Sequence, residues 1–214
     1  MSATPIAEHG HHHAGPITWP RETFFGTASV GKIGMWIFLL SDALSFAGLL
    51  LAYGILRGGA STWIHPGEPA LGINFTAVLT FLLICSSVTM VLGLAAASEK
   101  KRKEAVVFLG LTALGGALFL CGQYQEYFGI VGHGLTGEGL NFGASHYATT
   151  FYIITGFHGA HVTTGVIYLT IITIQTARGK YDHDTNKIEI AGLFWHFVDL
   201  VWILVFTLVY LIPQ

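Results

Sequence analysis

The chain has 214 residues, of which 52% are hydrophobic and only 10% are charged. A soluble domain carries about 25% charged residues, so this chain lacks the polar side chains that a water-exposed surface requires. The formal net charge of −2 gives no indication of a nucleic-acid partner. Cys85 and Cys121 both fall in apolar stretches, which excludes a disulfide framework as the organising feature of the fold.

The sequence predicts an all-α, polytopic bundle of five transmembrane helices. A helix needs about 20 mainly apolar residues to cross the hydrocarbon core of a bilayer. Five segments meet this length, at residues 33–55, 73–97, 105–128, 148–176 and 190–212. The fourth is longer than one crossing needs, so we expect it to tilt or to protrude. A polar, His-rich tail of residues 1–31 precedes the transmembrane domain of residues 32–214.

The charged connections predict the orientation of the bundle. Nine basic residues lie on one side of the predicted spans, and only Arg57 lies on the other. The nine are Arg21, Lys32, Lys100, Lys101, Arg102, Lys103, Arg178, Lys180 and Lys187. Because cytoplasmic loops are enriched in Lys and Arg, we expect the N-terminus in the cytoplasm. The C-terminus then lies on the opposite side of the membrane.

Four histidines stand close together in the N-terminal tail, at His9, His11, His12 and His13. Such a run can bind a transition metal. It is more typical of a solvated tail, because flexible His-rich segments often bind metal weakly and without a function.

Ionisable side chains inside the spans form the candidate functional site, since they are costly in lipid and are usually paired or functional. Asp42 lies between Ser41 and Ser45 in the first span, and is either a hydrogen-bonded packing residue or a proton or partner site. The other candidates lie on the third, fourth and fifth spans. They are Gln123, Glu126, Tyr127, His158, His161, Glu189, His196 and Asp199.

Helical spacing groups these side chains. Gln123 and Glu126 are three residues apart and share a helix face, whereas Glu189 lies on one stripe with His196 and Asp199. Small residues such as Gly156 surround the two histidines of the fourth span. They predict close approach of another helix there.

This set of side chains has three interpretations. His158 or His161 could pair with His196 in a b-type cytochrome. Asp42 and Glu126 could be the proton sites of a small transporter, although the two halves of the chain show no clear internal repeat. The third interpretation is a mutually satisfied buried polar network that fixes the helices in one arrangement. Neither Gln123-x-x-Glu126 nor His196-x-x-Asp199 is the Glu-x-x-His pair of a di-metal bundle. We favour the network, because buried polar groups usually find partners in a membrane bundle.

Several of these residues stand in strings that resemble subunit III of the haem–copper oxidases. Residues 194–202, Phe-Trp-His-Phe-Val-Asp-Leu-Val-Trp, resemble the W-H-F-x-D-x-x-W signature of its last helix, with Glu189 seven residues before the histidine. Residues 156–162 resemble its G-x-H-G-x-H-V motif, and residues 123–127 resemble Q-x-x-E-Y. Residues 34–42 resemble the first conserved helix of the short, five-helix form.

The resemblance runs from about residue 32 to residue 211 and implies a non-catalytic subunit of an oxygen-reducing, proton-pumping enzyme. Such a subunit binds no haem, copper or other metal, because these centres belong to its partners. It packs directly on subunit I, in a complex with subunit II, holds phospholipid and supports proton uptake. Longer members have seven helices, so a small partner subunit would supply the missing two. The nine polar residues would form its interior framework.

The resemblance leaves the electron donor open between cytochrome c and quinol. Asp42 stands where many cytochrome c oxidase members have glutamate, and this feature, like the His-rich N-terminus, is similar to the quinol oxidases. The string that contains Gln123, Glu126 and Tyr127 is more similar to the cytochrome c branch.

Overall fold

The computed structural model describes residues 29–64, 68–69, 71–129, 134–182 and 184–212. The described residues form helices and their connections, without β-strands. The helices are α1 (Val30–Gly59), α2 (Ile73–Ser98), α3 (Arg102–Phe128), α4 (His146–Ala177) and α5 (Asn186–Val205). Counting the continuation of α5 to Leu211, all five are long and apolar enough to cross a membrane, which confirms the predicted fold. The tail histidines and Arg21 lie outside the described residues.

Local sequence signals set several of the helix ends. Ser29 and Ser145 precede α1 and α4, and each side chain accepts a hydrogen bond from a backbone N–H in the first turn. A serine at this position satisfies a backbone donor that the helix itself cannot. Gly129 ends α3 with a φ of 63°, a left-handed conformation that glycine adopts without strain.

The end of α5 differs from the prediction. We expected a regular helix to residue 212, but the α-helical part ends at Val205 and a π-helix, Phe206–Leu211, follows. A π-helix is wider than an α-helix and turns its side chains to a different register. The change of register matters for Tyr210, as described below.

Four helices enclose the core. α2 packs on α3, α3 on α4, α4 on α5, and α5 returns to α2. α1 lies outside this group, and its main contacts are with α4 and α5. Aromatic and aliphatic side chains fill the centre, among them Met90, Phe119, Phe151 and Trp202. Large apolar side chains cover the outer faces, as a helix bundle in lipid requires.

The basic connections meet at one end of the bundle. Arg102, at the start of α3, donates a hydrogen bond of 3.1 Å to Asp182 between α4 and α5. Lys32, in the first turn of α1, forms an ion pair of 2.7 Å with Glu189 in the first turn of α5. Arg57 lies in the last turn of α1, at the opposite end, and donates to the hydroxyl group of a tyrosine one turn before it.

Candidate functional site

Polar contacts join α2 to α5 along the length of the bundle. Trp202 of α5 donates from Nε1 to Thr80 Oγ1 of α2 at 2.9 Å. About two turns away, Trp195 donates from Nε1 to Ser86 Oγ at 3.1 Å. Both indole rings are buried, so each N–H group needs an acceptor inside the protein. The two bonds fix the relative position of α2 and α5.

Glycines on two other helices make room for the Trp195 ring. A Cβ atom at Gly116 of α3 would lie 2.4 Å from Cη2 of the ring, and one at Gly165 of α4 would lie 3.0 Å from Cε3. Both distances are shorter than the roughly 3.5–4.0 Å of an ordinary carbon contact. The ring therefore occupies a slot that only glycine leaves open, and it joins α3, α4 and α5.

Glu126 lies at the centre of a buried cluster that consists of Thr76, Gln123, Glu126 and Tyr210. Thr76 Oγ1 of α2 donates to Oε1 of the carboxyl group at 2.9 Å. Oε2 accepts from Tyr210 at 3.0 Å and from Gln123 Nε2 at 3.1 Å. A carboxyl group with three donors is well satisfied although buried. The cluster joins α2, α3 and the π-helical end of α5.

Tyr210 reaches this cluster from the π-helix. It lies in Phe206–Leu211, and its ring packs on Phe151 at 5.8 Å between ring centroids. Successive residues of an α-helix are rotated by about 100° around its axis. Without the extra residue that the wider π-helical turn takes up, the Tyr210 side chain would therefore point about 100° away from Glu126. The wider turn thus coincides with the side chain that completes the Glu126 cluster.

Tyr127 lies next to the Glu126 cluster but bonds a different helix. Its hydroxyl group lies 2.5 Å from Thr155 Oγ1 of α4. Thr155 already donates to the carbonyl group of Phe151 at 2.6 Å, so Tyr127 is the donor to Thr155. Tyr127 therefore joins α3 to α4.

Asp42 and His161 join α1 to α4. Asp42 Oδ1 lies 3.2 Å from His161 Nε2, and both side chains are largely buried. His161 Nδ1 lies 2.8 Å from the carbonyl oxygen of Phe157, so Nδ1 carries a proton. Phe46 covers the pair, at 5.3 Å between its ring centroid and that of His161.

His196, Ser87 and Asp199 form a third group, between α5 and α2. Ser87 donates to Asp199 Oδ2 at 2.6 Å. His196 Nδ1 lies 3.3 Å from the same serine oxygen. His196 and Asp199 are therefore joined through one side chain of α2 rather than directly.

His158 lies apart from these groups. Its side chain is 0% exposed, and neither ring nitrogen has a hydrogen-bond partner among the described residues. Aromatic rings surround it: the centroid of Trp202 is 4.7 Å away and that of Phe119 is 5.8 Å away. The imidazole of His158 is therefore packed among aromatic rings. His161 and His196 meanwhile have their Nδ1 atoms engaged, by Phe157 and Ser87.

The nine residues predicted from the sequence thus lie in several separate groups and do not form one site. Glu189 does not continue the stripe into the interior, because it pairs with Lys32 at the end of the bundle and its side chain is 40% exposed. The described residues contain no group of three or more His, Cys, Asp or Glu that could hold a metal ion.

The expected close approach at Gly156 and Gly159 is wrong within the described chain. Nothing lies within 4 Å of a Cβ atom at either position, and Gly156 is exposed. The motif glycines face outward while the histidines between them face α1 and the core. The close helix contacts occur instead at Gly116, Gly122 and Gly165.

Sequence reasoning missed the partners that α2 supplies. Thr76, Thr80, Ser86 and Ser87 each accept from or donate to a side chain of another helix. These hydroxyl side chains recur on one side of an otherwise apolar span, and this pattern could have indicated a face that bonds other helices. Tyr210 was missed as well, because its position depends on the π-helix.

Comparison with known proteins adds to this geometry. The family model described as cytochrome c oxidase subunit III matches residues 22–213. The chain is 36% identical over 211 residues to cytochrome c oxidase subunit 3 of Synechocystis sp., which covers 98% of this chain and 82% of that protein. It is 34% identical over 206 residues to quinol oxidase subunit 3 of Bacillus subtilis, with 96% of both chains covered.

A third relative comes from another bacterium. The cytochrome bo(3) ubiquinol oxidase subunit 3 of Pseudomonas aeruginosa is 32% identical over 183 residues, or 83% of each chain. The five membrane-length helices and these bacterial relatives identify a multi-pass protein of the bacterial inner membrane. Because the family model matches most of the chain and the sequence motifs occur in the expected order, the chain belongs to the cytochrome c oxidase subunit III family.

Proposed function

We propose that this chain is the non-redox subunit III of a proton-pumping haem–copper terminal oxidase. One structural observation carries the proposal beyond family membership. The buried carboxyl groups of Asp42, Glu126 and Asp199 are each bonded to a side chain of a neighbouring helix. Polar groups used in this way fix the arrangement of the bundle. They support a scaffold that stabilises a catalytic partner rather than a redox centre or a transport path.

The proposal includes the partners and cofactors of the complex. Subunit I, with its haem and copper, would be the direct partner, and subunit II and other oxidase subunits would complete the enzyme. A small subunit would supply the two helices that the five-helix form lacks. Phospholipid would fill the remaining contacts, since the outer faces of the helices are apolar. In this complex the chain would support proton uptake by subunit I.

The proposal also includes the orientation. The polar tail of residues 1–31 would lie in the cytoplasm, ahead of the membrane domain of residues 32–214. Support comes from the end of the bundle where Lys32 and Arg102 form their ion pairs, because that end also carries most of the other basic residues. Cytoplasmic ends of membrane proteins are enriched in Lys and Arg.

The proposal does not depend on the electron donor. Relatives named as cytochrome c oxidase and as quinol oxidase subunits match the chain at similar identity, 36% and 34%. The donor would bind elsewhere in the complex. We therefore propose the same scaffold role with either donor.

A reduced-minus-oxidised absorption spectrum tests the proposal. It is recorded on the tagged chain purified gently with its complex, and again on the chain after separation. We expect a haem signal in the complex and none in the separated chain. Haem that stays with the separated chain would establish a b-type cytochrome and overturn the proposal.

Substitution of Glu126 provides a second test. Glu126→Leu removes the acceptor of three hydrogen bonds and should lower the amount of oxidase that co-purifies with the chain. Tyr124→Leu is a matched control, because Tyr124 lies half a turn away on the same helix and is exposed. Haem in the remaining complex should stay bound. A fully assembled complex that has lost haem in the Glu126 variant would contradict the scaffold role.

A further inference from the structure

His196 is a polar side chain at the outer seam between α2 and α5, inside the predicted membrane span. It lies on a helix that begins at Asn186 and continues to Leu211. At 1.5 Å per residue, it lies about 9 Å beyond residue 190, where the predicted fifth span begins, and so within a hydrocarbon core of about 30 Å. The side chain is partly exposed. It therefore borders whatever covers this face of the protein.

The hydrogen bonds on the inner side of His196 determine what its outer nitrogen can do. Ser87 has a single hydroxyl proton, and it donates this proton to Asp199 Oδ2 at 2.6 Å. The serine oxygen must then accept from His196 Nδ1, at 3.3 Å. In a neutral imidazole with its proton on Nδ1, Nε2 is a hydrogen-bond acceptor. His196 thus presents an acceptor to the outside.

Nothing in the described part of the chain satisfies this acceptor. Nε2 of His196 has no hydrogen-bond partner among the described residues, and it is not among the polar atoms that are fully enclosed by the protein. Ile84, Val88 and Val91 lie within about one turn of Ser87 on α2, and Leu200 and Ile203 lie about one and two turns after His196 on α5. All five side chains are apolar and exposed.

Lipid alone cannot both cover the exposed apolar side chains and satisfy the hydrogen-bond acceptor at His196 Nε2. Acyl chains cover the apolar side chains but offer no donor to Nε2, and an unsatisfied polar group in hydrocarbon is costly. Lipid headgroups lie outside the hydrocarbon core, about 9 Å or more from His196 along the helix. A transmembrane helix of another chain meets both needs, because it has an apolar surface and can carry a polar side chain at any depth.

We infer that the seam between α2 and α5 is the docking site for a transmembrane helix of another oxidase subunit. That helix presents a hydrogen-bond donor, from Ser, Thr, Tyr, Trp, Asn or Gln, to His196 Nε2 within the hydrocarbon core. The inference rests on the proposed function, because it takes the partner from the same complex. It adds the face of the chain that the partner contacts and the chemistry of the contact.

A photoreactive phenylalanine derivative at Leu200 tests the inference in the purified complex. Leu200 lies one turn from His196 on the same face and is 58% exposed. We expect a covalent adduct with a different subunit and, by peptide mapping, with one of its transmembrane helices. The same probe at Leu114 of α3, which is 52% exposed and at similar depth, controls for the general reactivity of the membrane face. Adducts at Leu200 with lipid only, or with a second copy of this chain, would overturn the inference.

Two substitutions test the role of the imidazole itself. His196→Phe removes the acceptor and should lower the yield of the Leu200 adduct about fivefold, the ratio expected for one interhelical hydrogen bond in a membrane. His196→Gln keeps an acceptor and should retain most of the yield. The yield at Leu114 should not change with either variant. An unchanged Leu200 yield in His196→Phe would overturn the assignment of His196.

The haem content of the same samples separates this inference from the proposed function. Haem that co-purifies with the chain, together with no protein adduct at Leu200, overturns the docking site and leaves the subunit role intact. A chain that co-purifies with no haem in any sample overturns the proposed function and, with it, the docking site.

Discussion

Replacement of Gly116 by alanine tests the packing of Trp195 directly. The new Cβ atom would lie 2.4 Å from Trp195 Cη2 and 2.6 Å from Val166 Cγ2. An ordinary carbon contact needs about 3.5–4.0 Å, so the ring would have to move by roughly 1 Å. It has little room to do so, because it already lies against Gly165 on α4 and is 1% exposed.

The expected loss of stability follows from two opposing terms. Overpacking of a well-packed core costs about 1–3 kcal/mol. Alanine in place of glycine inside a helix recovers about 0.5–1 kcal/mol. We therefore expect Gly116→Ala to lower the free energy of unfolding by about 1–2 kcal/mol. Gly110 lies on the same helix with nothing within 4 Å of its Cβ position, so Gly110→Ala should be neutral or stabilising.

The measurement is reversible unfolding of the tagged chain in mixed micelles with increasing denaturing detergent, followed by far-UV circular dichroism. Both variants gain the same helix term, so they should differ by the overpacking cost of about 1–3 kcal/mol, with the Gly116 variant the less stable. Equal stability of the two variants would refute the assignment of a slot around the indole ring.

Three further substitutions can be measured in the same unfolding assay. Tyr210→Phe removes one donor to Glu126 and should cost about 1 kcal/mol, and a loss near zero would contradict the role given to the π-helix. Trp202→Phe keeps an aromatic ring but removes the bond to α2, so it should also destabilise, and a gain in stability would show that this bond is not needed. Arg102→Gln breaks the exposed pair with Asp182 and should lower stability only slightly, because solvent screens the pair; an effect that persists in high salt would argue against simple ion pairing.

The helices could be predicted because many residues contribute independently to the apolar character of each span. Each span gathers about 20 apolar residues, so a single exception does not change the prediction. Polar connections then placed the helix ends within a few residues of those observed. The π-helical conformation at the end of α5 was not predicted. A π-helix depends on the contacts of Tyr210 with other helices, and the local sequence does not encode them.

The pairing of the polar residues could not be predicted, although their burial could. Spacing along one helix says which side chains share a face, but not which neighbouring helix that face meets. Ser87 is an example: serine in a membrane helix commonly bonds its own backbone, so it attracts no attention until Asp199 lies opposite it. The glycines next to the histidines of α4 show the same limit, since small size permits a close contact without locating one.

The position of α1 has a consequence for biosynthesis. α1 leaves the ribosome first, yet its main contacts are with α4 and α5, and Ser29 bonds Asn186, which is 157 positions later. At about 5–20 residues per second, α1 waits on the order of ten seconds for its neighbours. During that time Asp42 is in the bilayer without its histidine. The newly made α1 therefore lacks its main contacts until α4 and α5 have been synthesised and inserted beside it.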